Sequence, residues 1–163
     1  MQNTIKIADI LDTSLVNGTG LRSVIFCTYC EHNCPGCHNQ KLQSHELSKE
    51  VTIDSIFDRL EKNKDITRKK VTFSGGDPFY QAEAFNNLAK KLKENNYNIW
   101  CYTGFTLEEI QNSNDKHKLD LLQNIDVLVD GRYIENLKEG AQKYTGSRNQ
   151  KIIDLHNMQY IST

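Results

Sequence analysis

Four cysteines, Cys27, Cys30, Cys34 and Cys37, fall within eleven consecutive positions, and a fifth, Cys101, stands apart. So dense a run of thiols restricts the fold more than any other feature of the chain. An odd number of cysteines, spacings of two and three residues and no secretory leader argue against a disulfide framework. They favour thiolates converging on one metal centre in a reducing compartment. Pro35-Gly36 supplies a tight turn between the last two sulfurs. The run follows directly on Arg22-Ser23-Val24-Ile25-Phe26, whose β-branched and aromatic residues read as a strand. The sulfurs are therefore expected to hang from a strand end.

The spacing leaves the metal open. All four thiolates in a C-x2-C-x3-C-x2-C pattern suit a structural zinc, His38 would complete a Cys3His zinc site, and four sulfurs would equally saturate a ferredoxin-type cluster. If only Cys30, Cys34 and Cys37 bind, the pattern is C-x3-C-x2-C, and a cubane held by three thiolates keeps one iron open for a substrate.

Further strands are predicted at residues 70–73, 98–102 and 125–129. Between them Ile53, Ile56, Phe57 and Leu60 recur at helical spacing behind Thr52, a good N-cap, and Phe85, Leu88, Ala89 and Leu92 mark a second helix. Thr106-Leu107-Glu108-Glu109 has the form of a capping box, and Leu119 and Leu122 suggest a fourth helix. Residues 112–118 read as a surface loop. Alternating strand and helix predicts an α/β fold with a mainly parallel sheet of βα units. A closed eight-fold barrel takes about 250 residues, so 163 residues allow an open sheet or partial barrel in one domain, residues 1–163. Ligands of such sheets gather at the carboxyl ends of the strands.

With twenty basic and twenty-one acidic residues, no net field draws the chain to nucleic acid or a membrane surface. No apolar run approaches the ~18 to 20 residues of a membrane span. A soluble cytoplasmic protein is expected.

Ser74-Gly75-Gly76-Asp77-Pro78 lies between a strand and a helix. Consecutive glycines let main chain approach a ligand and offer N–H and C=O groups suited to an amino-acid headgroup, although the same residues also make a plain turn. Cys101, among apolar neighbours, reads as a small hydrophobe. Asp130 suits a helix cap or turn as well as a ligand, and Arg148 suits the surface as well as a carboxylate partner. None of the five histidines has a recognisable acid–base partner.

Cys30-Glu31-His32-Asn33-Cys34-Pro35-Gly36-Cys37-His38-Asn39 resembles the signature of radical S-adenosylmethionine enzymes, in the form found in activating proteins of anaerobic ribonucleoside-triphosphate reductases. Asn17-Gly18-Thr19-Gly20-Leu21-Arg22, the Ser74 to Pro78 motif, Tyr102-Thr103-Gly104-Phe105, the run from Asp126 to Arg132, and Gly146-Ser147-Arg148-Asn149-Gln150 follow in that family's order, so the resemblance spans essentially the whole chain. It departs at His38, where many relatives carry an aromatic residue, and at Cys27, which stands outside the family's ligand pattern. The resemblance implies an open partial barrel and one [4Fe–4S] cluster on Cys30, Cys34 and Cys37. It places S-adenosylmethionine at Ser74, Gly75, Gly76 and Asp77, with Thr103 at the ribose. It further implies the large reductase subunit as substrate, carrying the glycine to be made a radical, and a flavodoxin or ferredoxin as electron donor. By this reading a branched residue at position 76 would weaken cofactor binding and spare the cluster. Two alternatives stand beside it: a non-catalytic zinc or saturated-cluster module, and an activase of another glycyl-radical enzyme such as pyruvate formate-lyase, whose activases are usually longer chains.

Overall fold

The β-branched runs form strands largely where the sequence places them. The computed structural model describes residues 3–163, with strands β1 (Thr4–Ser14), β2 (Arg22–Cys27) and β3 (Lys49–Thr52), helices α1 (Ile53–Lys62) and α2 (Lys64–Thr67), strand β4 (Lys70–Gly75), helix α3 (Ala82–Glu94), strand β5 (Asn98–Tyr102), helices α4 (Leu107–Gln111) and α5 (Lys116–Gln123), and strands β6 (Val127–Asp130), β7 (Lys151–Asp154) and β8 (Gln159–Ile161). All eight strands join one sheet in the order β3-β1-β2-β4-β5-β6-β7-β8. The central strands β2, β4, β5 and β6 are parallel neighbours. On each side two antiparallel strands complete the sheet, β1 and β3 beside β2 and β7 and β8 beside β6.

The fold is thus α/β, but the sheet is mixed, which corrects the expectation of a mainly parallel one. Strand β1 is hidden in the sequence because its register against β2 shifts between Ile7 and Asp9 and again between Leu11 and Ser14. Its buried residues Ile5, Ile7 and Ile10 are therefore spaced by two and then by three, which breaks the period-two signal of a strand. Strands β3 and β8 lie at the edges with largely exposed side chains and have no apolar pattern to betray them.

The helices lie on one face. Ile56 and Leu60 of α1, Phe85, Leu88 and Leu92 of α3, Ile110 of α4 and Leu121 of α5 pack with Ile25, Val71, Phe73, Ile99 and Leu128 of the sheet. Thr52 caps α1 by accepting from the Ser55 N–H at 3.1 Å, and the Thr106–Glu109 capping box is present on α4. The loop expected at residues 112–118 is cut short, because the Asp115 carboxylate accepts from the N–H groups of His117 and Lys118 and starts α5 at Lys116. No helix among the described residues is long and apolar enough to cross a membrane.

The other face carries a smaller cluster of Trp100, Val127, Val129 and Ile152, and residues 15–21 fold over part of it. Fully buried Arg22 pins that loop: its Nε donates to Thr72 Oγ1 at 2.9 Å, Nη1 to the Thr19 carbonyl at 2.9 Å, and Nη2 to the carbonyls of Val71 and Asn98. Burial pulls the guanidinium down to about 10, so it stays charged at neutral pH. The Thr72 hydroxyl in turn donates to the Asn17 carbonyl at 2.6 Å. Gly18 lies against Trp100 at φ +118°, where a Cβ would sit 2.9 Å from the indole.

Candidate active site

The loops after β2, β4, β5 and β6 meet at the carboxyl edge of the parallel strands, and each contributes to one cavity of about 320 Å³ on the helix-free side. Cys30, Cys34 and Cys37 line it together with Ser74, Gly75, Gly76 and Thr103. A larger hollow of about 700 Å³ opens elsewhere, beside Lys6, His45 and His117, but holds none of the cysteines.

Cys27 is separated from this group by the strand pleat. It is the last residue of β2 and shares the face of Ile25, so its side chain lies fully buried in the helix-side core with Cys101. Burial pushes both thiols well above their ordinary range. Beyond Cys27 the chain leaves the sheet and is held by its own return segment: the Tyr29 N–H donates to the Leu42 carbonyl at 2.7 Å and the Cys30 N–H to the Gln43 carbonyl at 3.1 Å. Within the loop the Cys37 N–H donates to the Cys34 carbonyl at 3.2 Å across the Pro35-Gly36 turn, and Gly36 takes φ +75°. The Asn39 N–H lies 3.4 Å from Cys37 Sγ, a donor suited to a sulfur carrying negative charge.

The glycine loop is fitted to the base of the cysteine loop. A Cβ on Gly75, which adopts φ +108°, would meet the Cys27 carbonyl, and a Cβ on Gly76 would meet the carbonyls of Tyr29 and Leu42. The Gly76 and Asp77 N–H groups donate to the carbonyls of Cys27 and Tyr29, both at 2.8 Å. A side chain at position 76 would therefore strike the main chain that carries the cysteine loop, which replaces the expectation that such a change would leave that loop undisturbed.

Asp77 is fully buried, and its carboxylate is committed to the protein. One oxygen accepts from the Phe79 N–H at 3.0 Å; the other accepts from the Thr103 hydroxyl at 2.9 Å, the Gly104 N–H at 3.0 Å and His32 Nε2 at 2.7 Å. Thr103 still lines the cavity, as does Ser74, whose hydroxyl takes part in none of the side-chain hydrogen bonds among the described residues. His32, which sequence reasoning passed over, packs edge-on against Phe105 and near Tyr80. Cys30, His32 and Asp77 each bring a possible ligand atom within 4.8 Å of the others, but the histidine and the aspartate are already engaged with each other.

A further wall comes from residues 131–150, which reach the cysteine loop at Tyr133, beside Gly36 and His38. Gln150 accepts from the Gly146 N–H at 2.7 Å and donates to the Gly131 carbonyl at 2.9 Å, while Asn149 donates to the Arg132 carbonyl at 2.8 Å. The motif from Gly146 to Gln150 is thus a clasp, with Arg148 exposed on its outside. Asp130 accepts from the Leu107 N–H at 2.8 Å and caps α4. Arg132 forms a two-pronged pair with Glu109 at 2.8 and 3.1 Å. His38 lines the cavity and lies 5.0 Å from the Tyr133 ring.

Burial, reinforced by Asp77 and the two neighbouring thiols, pushes Cys30 up to about 12 although its Sγ accepts from a main-chain N–H, and burial raises Cys34 as well. A bare thiolate is unfavourable in this setting, and bonding to metal removes the penalty; Cys30, Cys34 and Cys37 do not all bring their sulfurs within 4.8 Å of one another, too wide for one ion. The donor set therefore fits a thiolate-ligated cluster better than a single ion.

A family model described as a 4Fe-4S single cluster domain matches residues 16–153. An anaerobic ribonucleoside-triphosphate reductase-activating protein of Vibrio cholerae is 36% identical over 146 residues, covering 85% of this chain and 90% of that one. Proteins of the same name from Haemophilus influenzae and the phage T4 are 35% and 31% identical over 86% and 88% of this chain and 92% and 90% of their own lengths. The α/β sheet with its cysteine-lined cavity is that of a single-cluster 4Fe–4S protein. Within that class, the chain belongs to the family of anaerobic ribonucleoside-triphosphate reductase-activating proteins.

Proposed function

We propose that this chain, acting as a single domain over residues 1–163, activates the large subunit of an anaerobic ribonucleoside-triphosphate reductase. It does so as a radical S-adenosylmethionine enzyme, with a [4Fe–4S] cluster on Cys30, Cys34 and Cys37. The observation that carries this reading is the sorting of the five cysteines. Three share a cavity with the glycine loop, whereas Cys27 and Cys101 are sealed in the core, and three sulfurs leave one iron open.

When bound, the cluster supplies one electron that divides the sulfonium of S-adenosylmethionine into methionine and a 5′-deoxyadenosyl radical, and that radical takes a hydrogen atom from a reductase glycine. The protein's own part is to hold and shield. Gly75, Gly76 and the Ser74 hydroxyl border the space for the methionine end, and Thr103 borders the ribose. Asp77 acts from beneath by fixing Thr103 and the cysteine loop. Tyr133 and the clasp of Gly146 and Gln150 close a further wall. The helix-free side, which no helix covers, suits a partial barrel whose open flank the reductase fills. The electron comes from a flavodoxin- or ferredoxin-type donor in the reducing cytoplasm.

Anaerobic reconstitution with iron and sulfide tests the reading. Reduced protein supplied with S-adenosylmethionine should release 5′-deoxyadenosine, and adding the reductase should give a glycyl radical visible by electron paramagnetic resonance. A full cluster that cleaves no S-adenosylmethionine would remove the enzyme reading. A colourless protein with one tightly held zinc would favour a structural Cys3His site, for which His38 stands in the same cavity. Radical formation only on pyruvate formate-lyase would keep the chemistry and change the partner.

A further inference from the structure

Large apolar side chains exposed to water stand singly at Leu47, Ile66 and Ile134 and as a pair at Met158 and Tyr160, but three fall within six residues: Leu11, Leu15 and Val16, at 46%, 65% and 74% exposure. Leu11 and Val16 belong to the helix-free side, and Leu15 lies between them in the chain. Leu11 stands opposite Val24 in the β1–β2 register, on the face that carries Thr72 and Trp100, and Val16 lines the rim of the cysteine cavity.

The tip that carries them is braced. The Val16 N–H donates to Ser14 Oγ at 3.3 Å, the Ser14 hydroxyl donates to Asn17 Oδ1 at 2.7 Å, Thr72 holds the Asn17 carbonyl, and Arg22 holds that of Thr19. Folding Leu15 and Val16 back onto the protein would break this set, so the loop holds apolar side chains out in a fixed position. An apolar display held in place at the mouth of a cavity suits a contact surface, and its rigidity lowers the ordering cost of binding. The nearest charged side chain in the sequence, Asp12, is already paired with Arg59 at 3.0 Å, which leaves packing rather than charge as the attraction on offer.

We propose that Leu11, Leu15 and Val16 form the docking surface for the glycine-bearing segment of the reductase. The inference rests on the activase reading and adds to it where the substrate chain lies. A glycine within a polypeptide reaches the cavity only if its flanking residues cross the rim, and on this side the rim is Val16. Across the cavity Tyr133 lines the wall and its neighbour Ile134 is again exposed, so an extended segment is gripped at both ends by apolar contacts.

The test uses the double variant Leu11→Ser/Leu15→Ser in reconstituted protein, since neither side chain lines the cavity or belongs to the buried core. Release of 5′-deoxyadenosine without reductase should stay within about twofold of wild type. Affinity for the tagged large subunit, measured anaerobically and without S-adenosylmethionine, should weaken by about tenfold or more. Glycyl-radical formation should recover at high reductase concentration. Met158→Ser/Tyr160→Ser, at the far end of the sheet, should change none of these. Wild-type affinity in the first variant, or an equal loss in the second, overturns the proposal. So does a wild-type self-association that the first variant abolishes while reductase binding is kept. A chain that binds the reductase through Leu15 but cleaves no S-adenosylmethionine leaves the surface standing and sinks the radical chemistry, whereas a wild type that releases 5′-deoxyadenosine but does not bind the reductase overturns the surface and the partner and leaves the chemistry standing.

Discussion

One carboxylate oxygen of Asp77 accepts a hydrogen bond from His32 Nε2 at 2.7 Å across 45 residues of sequence, and the same oxygen accepts from Thr103 and Gly104. The loops that follow β2, β4 and β5 are therefore fastened at a single buried atom. Replacing Asp77 by Ala strands these three donors and the Phe79 N–H, four in all, and should cost about 3 kcal/mol or more in chemical denaturation. His32→Gln, which keeps a donor, should cost less than His32→Ala. A loss below about 1 kcal/mol in Asp77→Ala would mean that the loops are held by something else.

Cluster assembly should separate the cysteines into two groups. Alanine at Cys30, Cys34 or Cys37 should abolish iron uptake and the brown absorbance, while Cys27→Ser and Cys101→Ser should keep both and show only a stability loss from a hydroxyl placed in the apolar core. Loss of iron in Cys27→Ser would bring back ligation by four thiolates.

Glycine substitutions should fail through the cluster. Gly75→Ala forces a Cβ to within 2.3 Å of the Cys27 carbonyl at a positive φ, and Gly76→Ala forces one to within 2.4 Å of the Tyr29 carbonyl. Both should lower iron content on reconstitution together with S-adenosylmethionine affinity. A variant with full iron and weakened cofactor binding alone would show that the glycine loop moves independently of the cysteine loop.

Asp126 should mark the acid limit of the fold. Burial by itself raises its carboxyl, but hydrogen bonds from His156 at 2.5 Å, from Lys93 at 2.7 and 2.8 Å and from the Ile99 N–H at 2.7 Å outweigh that and hold it below the usual 3.8. A carboxyl depressed in the folded state contributes stability that is fully present above its unfolded value of about 3.8 and is lost as pH falls through the lower folded value. Asp126→Asn should reduce stability at neutral pH and flatten the decline below about pH 4. Parallel acid-unfolding curves for variant and wild type would assign the acid limit to other groups.

Much of this was legible in the sequence where one physical signal dominated. The central strands announced themselves through Val71, Phe73, Ile99 and Leu128, and the helices through stripes such as Phe85, Leu88 and Leu92. The antiparallel flanks did not, because bulges disrupt the alternation in β1 and because edge strands with exposed side chains need no apolar face. In the site, the cysteine spacing stood out because metal ligation demands it. The seclusion of Cys27 was also within reach, since it sits two residues after Ile25 and so shares its face. His32 was not: a histidine between two cysteines has no pattern of its own, and its partner lies in a different loop. Asp77 stood out as part of the glycine loop, but the burial of its carboxylate and its ties to His32, Thr103 and Gly104 join distant loops that no local pattern connects.

The antiparallel flanks also decide where the molecule opens first. The exposed edges of the sheet are β3 and β8, short strands that can fray at little cost, while β4 and β5 lie in its middle with neighbours on both sides. Amide exchange should therefore run inward from the edges and reach the strands beneath the cavity only with global unfolding. The loops that carry the thiols are mounted on the slowest-exchanging part of the chain, and wear at the margins does not disturb their alignment.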